Sequence, residues 1–197
     1  MIGTIWAVPP QNPQPRDTFI HESAIVEADS EVGPGTRIWH HAHVRSTVGD
    51  DCVVGRNVYI DAGVTIGNRV KIQNNVSVYA GVELADEVFV GPSAVFTNDL
   101  YPRAVSPNWE IVPTIIGHGA SIGANATIVC GVEIGAWAMV GSGSVVTRSI
   151  APHELVVGNP AHRAGWVCQC GRILERTTAD LEWHRCRHCG REQDWHS

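Results

Sequence analysis

Four cysteines near the C-terminus are spaced like metal ligands. Cys168 and Cys170 form one short pair, Cys186 and Cys189 form a second, and a glycine follows each pair. Two such pairs, about fifteen residues apart, are typical of four thiolates that hold a structural zinc ion. Because the first pair is tighter than the usual two-residue spacing, His184 or His188 could substitute as a ligand, and a disulfide is the weaker alternative. A closed four-ligand site has no open position, so we expect this zinc to hold a small fold and not to catalyse.

Two polar clusters in the first half of the chain could bind a ligand. Gln73, Asn74 and Asn75 are consecutive amides, and three histidines lie within residues 40–43. A ligand-binding site is one interpretation of each cluster. Asparagine also tolerates left-handed backbone angles, which makes a turn position the alternative interpretation of Asn74 and Asn75. For the histidines the alternative is a solvated surface.

The composition is that of a folded protein with an acidic balance. The 197 residues are 44% hydrophobic and 17% charged, and they carry a net charge of -6. That length predicts one core with at most a small appendage. The negative charge argues against nucleic acid or an anionic membrane as the main partner. Residues 128–146 are apolar, but Glu133 and several glycines interrupt them and they follow a repeat, so we do not expect them to span a membrane.

A six-residue repeat organises most of the chain. Every sixth position is Ile, Val, Leu or Phe, with a register shortened by two after Val44 and one loop after Phe96. The anchors are Ile20, Val26, Val32, Ile38, Val44, Val48, Val54, Ile60, Ile66, Ile72, Val78, Leu84, Val90, Phe96, Ile116, Ile122, Ile128, Ile134, Val140 and Val146. Small or β-branched residues follow four positions later, and glycine often follows directly. This period fits neither a helix nor an alternating strand.

The repeat predicts an all-β fold, a parallel β-helix in which stacked turns make a continuous core. With three hexads per triangular turn, we expect six to seven turns and a stack about 30 Å tall. Residues 97–115 should form a loop that projects from the side of the β-helix. Binding residues often lie on such loops. The sequence does not specify how the shortened hexad between Val44 and Val48 affects the wall near residues 40–43.

Several segments resemble the hexapeptide-repeat acyltransferases. The generic signature recurs at residues 66–70, 122–126 and 134–138, and the residues 71–79, 91–99, 119–131 and 158–161 are similar to a narrower group. That group acetylates the 3-amino group of UDP-2-acetamido-3-amino-2,3-dideoxyglucuronate for lipopolysaccharide O-antigen. The resemblance spans about residues 18–166. It implies a left-handed β-helix, a homotrimer, acetyl-CoA as donor and a nucleotide-sugar substrate. Residues 1–10 have no basic region and end in two prolines, unlike a secretory signal, so we expect a cytoplasmic protein.

The resemblance also implies roles for individual residues. Asn75, or alternatively Asn74, would orient the acceptor amine as the catalytic residue. Substrate contacts would come from Gln73, Tyr79, Phe96, Asn98, Arg103 and His40. Acetyl-CoA would lie along Ala120, Ala138, Gly141, Gly143, Arg148 and Arg163, with the arginines on its phosphates. Packing of the turns is the alternative explanation for the small residues, and an ordinary surface position is the alternative for the arginines.

The loop sequence favours nitrogen as the acceptor atom. Acetyl transfer to a hydroxyl normally needs a general base, whereas a neutral amine attacks a thioester directly. Residues 97–115 contain no histidine. His118 follows the loop and could act as a base, but a solvated corner position is the better interpretation.

Other functions compete with this interpretation. A γ-class carbonic anhydrase shares the fold but needs three zinc-binding histidines on later turns, two of them close together, whereas between residues 97 and 161 this chain has His118 and then His153. A sugar or antibiotic O-acetyltransferase and a non-catalytic β-helix binding protein are the remaining alternatives. We divide the chain into an N-terminal extension (1–17), the β-helix domain (18–161, with loop 97–115) and a four-cysteine zinc module (162–197).

Overall fold

The computed structural model describes residues 16–107, 109–175 and 183–194. These residues form β-strands, turns and loops, with no α-helix among them. None of them belongs to a helix with the length and hydropathy needed to cross a bilayer. Most of the predicted N-terminal extension, residues 1–15, lies outside the described part of the chain.

Most strands are only two residues long, as six-residue repeats require. In chain order they are Phe19–Ile20 (β1), Ile25–Val26 (β2), Arg37–Ile38 (β3), His43–Val44 (β4), Val53–Val54 (β5), Tyr59–Ile60 (β6), Thr65–Ile66 (β7), Lys71–Ile72 (β8), Ser77–Val78 (β9), Val82–Leu84 (β10), Phe89–Val90 (β11), Val95–Phe96 (β12), Thr114–Ile116 (β13), Ser121–Ile122 (β14), Thr127–Ile128 (β15), Glu133–Ile134 (β16), Met139–Val140 (β17), Val145–Val146 (β18), Glu154–Val157 (β19), His162–Val167 (β20), Ile173–Glu175 (β21), Trp183–Arg185 (β22) and Glu192–Asp194 (β23).

The strands stack into three parallel sheets that form the faces of a triangular solenoid. Face A contains β1, β3, β5, β8, β11, β14, β17 and β19; face B contains β2, β4, β6, β9, β12, β15 and β18; face C contains β7, β10, β13 and β16. The chain visits A, B and C in turn. The predicted parallel β-helix of hexapeptide repeats is therefore confirmed. It has about eight turns, more than the predicted six to seven, because it continues past Val146 through Ile150 and Val156.

The core runs along the solenoid axis and is built from the anchors. Ile38, Ile72 and Ile122 have at most 1% of their surface exposed. The residues four positions after the anchors, such as Ala42 and Ala126, are equally buried. Burying one large aliphatic side chain is worth about 1.5–3 kcal/mol. The repeat in the sequence is therefore the core itself.

Glycine follows many anchors because successive turns approach closely at the corners. A Cβ on Gly123 would lie 2.5 Å from the backbone nitrogen of Ser142 on the next turn, and one on Gly91 would lie 2.6 Å from that of Ala124. Such contacts are shorter than Cβ atoms accept. The glycines thus permit the stacking distance that the sheets need.

Every irregularity of the repeat falls at the corner between faces B and C, which we call corner BC. The shortened hexad is absorbed there, since Val48 still bridges both Val32 and Ile66. His43 pairs in register with Tyr59. The strand that ends this segment is therefore in regular register, a point that the sequence left open. A second shortened hexad, between Val146 and Ile150, and the loop between β12 and β13 leave from the same corner.

The end of the solenoid passes directly into the cysteine region. Strand β20 pairs antiparallel with β19, and β21 pairs antiparallel with β20, so face A continues beyond the last turn. Trp166 and Val167 on β20 are buried against this end. Strands β22 and β23 form a separate hairpin. The domain boundary at residue 161 stays a prediction. Strand β20 begins directly after it and pairs with β19 of the solenoid.

Candidate functional site

The corner between faces A and B, corner AB, carries one column of left-handed residues. His41, Asn57, Asn75, Ser93 and Asn125 occupy the same position on five turns, each with φ between 57° and 61°. Left-handed backbone is tolerated by asparagine better than by most residues. Asn75 therefore occupies a turn position, as the alternative interpretation of its backbone expects. This does not determine what its side chain contacts.

The side chains of Asn74 and Asn75 are used differently. The Asn74 Oδ1 accepts a hydrogen bond of 2.9 Å from the backbone N–H of Arg56 on the preceding turn. Asn68 makes the same bond to the N–H of Asp50 at another corner, so this is a structural ladder. The Asn75 Oδ1 accepts instead from the side-chain Nδ2 of Asn57 at 3.0 Å, and both residues are exposed. The Asn75 amide therefore stands at the surface, with its own Nδ2 directed by a neighbouring side chain.

A cavity of about 230 Å³ lies beside this column and contains three predicted site residues. His40, Gln73 and Asn74 line it together with Trp39, Gly55, Arg56 and two wall residues, Val53 and Ile72. Partial loss of solvent, followed by the positive charges of His21, His41 and Arg56, lowers the pKa of His40 below its ordinary value of 6.5. His40 stacks on His21 at 3.5 Å between ring centroids. His40 is therefore neutral at pH 7, and Arg56 is the positively charged side chain in the lining of this otherwise aromatic and polar cavity.

Tyr79 and Asn98 lie at the opposite edge of face B, and Arg103 lies on the loop that leaves from there. Tyr79 follows β9 at corner BC, 39% exposed, and contacts Tyr59 at 6.0 Å between ring centroids. The Nδ2 of Asn98 donates to the carbonyl of Ala80, which holds the start of the loop on the same corner. Arg103 is exposed on the loop. Since four residues span at most about 14 Å, Asn75 and Tyr79 flank one narrow face.

Three predicted contact residues have inward side chains. Phe96 is 1% exposed, and Ala120 and Ala138 are fully buried. Phe96 is therefore a core residue, and the prediction that it binds substrate is wrong because an anchor position points to the axis. Ala120 and Ala138 are explained by packing inside the turns. Gly141 and Gly143 lie on corner AB, where Gly143 continues the left-handed column with φ of 71°.

Arg148 and Arg163 share one buried partner. The Glu154 carboxylate is 1% exposed and accepts from Arg148 at 2.9 Å and from Arg163 at 3.2 Å. The N–H of Ala151 also donates to it. Burial alone would raise the pKa of Glu154, but the Arg148 hydrogen bond, the Ala151 N–H and the two positive charges outweigh it and lower the pKa below its ordinary 4.5. These contacts give both arginines a structural role at the end of the solenoid.

The four C-terminal cysteines converge as the spacing predicts. Their sulfur atoms lie within 4.8 Å of one another, with Cys168 Sγ 3.6 Å from Cys189 Sγ and Cys170 Sγ 3.7 Å from Cys186 Sγ. A disulfide would need about 2.05 Å, so these are free thiols. Backbone N–H groups of Cys189 and His188 point at Cys186 and lower its thiol pKa to about 6, whereas burial raises that of Cys168 to about 12. In the part of the chain that the structure describes, this is the one group of three or more His, Cys, Asp or Glu side chains placed to hold a metal.

Several site residues were not found from the sequence. Trp39, Gly55 and Arg56 line the cavity from two successive turns. The signal that could have connected them is that Trp39 and Gly55 each directly follow an anchor, with Arg56 next in the chain. Glu154 offered a clearer signal, since it is a lone acid inside an apolar segment. His118 lies at the corner between faces C and A, 3.7 Å from Glu87 and in edge contact with Trp137. It is exposed there, as the solvated interpretation expects.

Two family models match within the solenoid. Residues 46–80 match the hexapeptide repeat of succinyl-transferase, and residues 113–148 match the bacterial transferase hexapeptide of six repeats. The acyl-[acyl-carrier-protein]–UDP-N-acetylglucosamine O-acyltransferase of Brucella ovis is 36% identical over 59 residues, which are 29% of this chain and 21% of that protein. The chain thus aligns with about a fifth of the curated relatives it matches. These matches confirm the resemblance to hexapeptide-repeat acyltransferases.

Solved structures show the same fold at low identity. The acetyltransferase domain of PglB from Neisseria gonorrhoeae, in complex with acetyl coenzyme A, is 21% identical with a TM-score of 0.54, over 76% of this chain and 58% of that one. A variant of GDP-perosamine N-acetyltransferase from Caulobacter crescentus, in complex with CoA and GDP-perosamine, is 23% identical with a TM-score of 0.50, over 77% and 58% of the two chains. The chain spans somewhat more than half the length of these structures.

The Glu154 cluster predicts an acid-dependent loss of stability. Glu154→Gln should reduce the free energy of unfolding at pH 7 by about 2–4 kcal/mol, because two arginines lose a buried counter-charge. A carboxylate with a lowered folded pKa stabilises the fold above its unfolded pKa of 4.5, and this contribution is lost as the pH falls through the folded value. The difference between wild type and variant should therefore be constant above about pH 5.5 and shrink below about 4.5. Urea unfolding at about pH 7, 5.5 and 4 measures it.

The matched control is Glu83→Gln, an exposed glutamate on face C. It should leave stability unchanged at all three pH values. A Glu154→Gln deficit that stays the same down to the lowest pH would show that charge at this position is not the cause.

Proposed function

We propose that the protein transfers acetyl from acetyl-CoA to the amino group of a nucleotide-linked amino sugar. The acceptor we favour resembles UDP-2-acetamido-3-amino-2,3-dideoxyglucuronate. The observation that carries this proposal is the Asn75 amide, exposed at corner AB and directed by Asn57 on the turn below. The similar perosamine enzyme and PglB domain, crystallised with CoA and a sugar nucleotide or with acetyl coenzyme A, support the same class of reaction.

An amine acceptor suits the groups around Asn75. The Asn75 Oδ1 accepts from Asn57 with one lone pair, and its second lone pair can accept from a neutral amine N–H, which leaves the amine lone pair free to attack. The loop, residues 97–115, brings no histidine to face B, and His118 lies at a different corner. His43 on face B bonds to Glu27 at 2.9 Å. The geometry thus fits a nucleophile that needs orientation more than deprotonation.

The reaction then proceeds by direct attack. The amine nitrogen forms a bond to the thioester carbonyl carbon, and the C–S bond of acetyl-CoA breaks as the tetrahedral adduct collapses. The proton released from nitrogen ends on the departing sulfur, so the products are the acetamido sugar and CoA thiol. Asn75 orients the amine, which contributes through positioning.

A homotrimer would complete the site. The loop exposes four large apolar side chains, Leu100, Tyr101, Val105 and Trp109. Val105 has 90% of its surface accessible. Clustered apolar side chains of this kind mark interaction surfaces. We propose that they pack on a neighbouring copy and that acetyl-CoA lies between the copies along the later turns, at Gly141 and Gly143.

Asn75→Ala should reduce kcat for amino-sugar acetylation by about 10- to 100-fold, because the amine loses its orienting partner. The measurement is thiol release from acetyl-CoA with a panel of UDP- and dTDP-linked 3-amino and 4-amino sugars, and hydroxyl sugars as the O-acceptor arm. Asn125→Ala is the matched control, since Asn125 holds the same left-handed position further along the column. It should retain wild-type turnover. Equal rates for Asn75→Ala and wild type would remove Asn75 from the mechanism.

We also propose that the cysteine cluster holds zinc. In a tetrahedron with Zn–S bonds of about 2.3 Å the sulfurs are about 3.8 Å apart, close to the two observed separations. The N–H groups aimed at Cys186 suit a thiolate, the form that binds metal. Zinc here would fix the end of the chain, and it has no part in acetyl transfer.

Purified protein should contain about one zinc per chain by elemental analysis. Cys170→Ser with Cys189→Ser should lower this to near zero and destabilise the C-terminal region to proteolysis, while acetyl transfer persists in the solenoid. Cys130→Ser, a buried cysteine outside the cluster, is the control and should keep its zinc. Absence of metal from wild-type protein prepared without chelators would rule out the assignment.

A further inference from the structure

A notch interrupts corner AB between the second and fourth turns. Trp39, Gly55 and Gln73 occupy the same position after their anchors, and the middle residue has no side chain. Gly55 cannot be replaced easily, because a Cβ there would lie 2.8 Å from the Asn74 Oδ1 and 2.9 Å from its backbone nitrogen. Two turns are separated by about 9.6 Å, and the cavity of about 230 Å³ lies over this span, lined by the indole, Gly55 and the Gln73 amide.

The slot has an aromatic floor. The Trp39 ring contacts Phe19 at 5.3 Å and the Arg37 guanidinium at 5.9 Å on the first-turn side. These contacts fix its orientation, while the ring also borders the cavity above Gly55. A planar ring stacks on such a surface at low entropic cost because the indole is already held.

The remaining walls are polar and positively charged. Arg56 is exposed at the mouth and has no ion pair with any described carboxylate. Gln73 lines the cavity with a side-chain amide that makes no hydrogen bond among the described residues. Asn74 has its Oδ1 engaged by the Arg56 N–H, which leaves its Nδ2 as a donor. Amide groups match the adjacent donors and acceptors on the edge of a nucleobase, and a guanidinium matches a phosphate.

We infer that this notch is the nucleobase subsite for the acceptor substrate. The base stacks on Trp39, its edge meets Gln73 and Asn74, and the diphosphate passes Arg56 toward the sugar beside Asn75. The cavity of about 230 Å³ is smaller than a site for a whole drug-sized ligand, so it takes one part of an extended molecule. The inference rests on the proposed function, because it assumes a nucleotide-linked sugar.

Equilibrium calorimetry of the full chain tests the inference without catalysis. The probes are UDP, GDP and inorganic pyrophosphate, titrated into wild type, Trp39→Leu, Trp39→Phe and Trp137→Leu. We expect Trp39→Leu to weaken nucleotide binding about tenfold, within the range of base–aromatic stacking, and Trp39→Phe to restore most of it. Trp137→Leu, at another corner, should bind as wild type does. Gln73→Ala is a second test variant, to be used if Trp39→Leu does not fold.

The outcomes separate the two proposals. Nucleotide binding that depends on Trp39 supports the subsite even if the protein transfers no acetyl group, in which case the proposed function alone fails. Pyrophosphate that binds as tightly as UDP and GDP overturns the subsite, since the base would then contribute nothing. Wild-type affinity in Trp39→Leu, or in Gln73→Ala where Trp39→Leu does not fold, overturns it as well.

Discussion

Backbone hydrogen bonds between successive turns fix the position of every corner residue in this protein. The N–H of Asn75 donates to the carbonyl of Arg56, and the N–H of Ser93 donates to the carbonyl of Asn74. These bonds keep the turns in register only while the aliphatic anchors fill the axis, because a β-solenoid turn cannot bury its apolar face alone. Residues far apart in sequence thereby form straight columns. The proposed site depends on two such columns at corner AB.

The fold could be predicted because its determinants repeat. The anchors and the small residues that follow them recur often enough to specify a solenoid, and the spacing of Cys168, Cys170, Cys186 and Cys189 predicted their convergence. The count of turns was low because the second shortened hexad, between Val146 and Ile150, shifts the last anchors out of the fixed period, so that Ile150 and Val156 were not counted. Phe96 was wrongly assigned to substrate binding because its motif contains both outward and inward side chains, and Phe96 is one of the inward ones.

The site was only partly predictable, because the contacts that define it join residues on neighbouring turns of the solenoid. The choice between Asn74 and Asn75 depends on which group of the preceding turn each side chain contacts. These partners, the Arg56 N–H and the Asn57 Nδ2, can be identified only from the stacked turns. The same holds for Arg148 and Arg163, whose partner Glu154 is buried at the end of the solenoid. The notch at Gly55 is a further case, because its lining residues come from three successive turns.

The central claim is that a neutral amine attacks the thioester without a histidine base, and the pH dependence of kcat/KM tests it most directly. With acceptor sugars whose amines differ in pKa, the profile should rise about tenfold per pH unit up to the pKa of each free amine, and the break should move with the acceptor. A break near about pH 6.5 that stays fixed across acceptors would assign the proton to an enzyme imidazole and contradict the account.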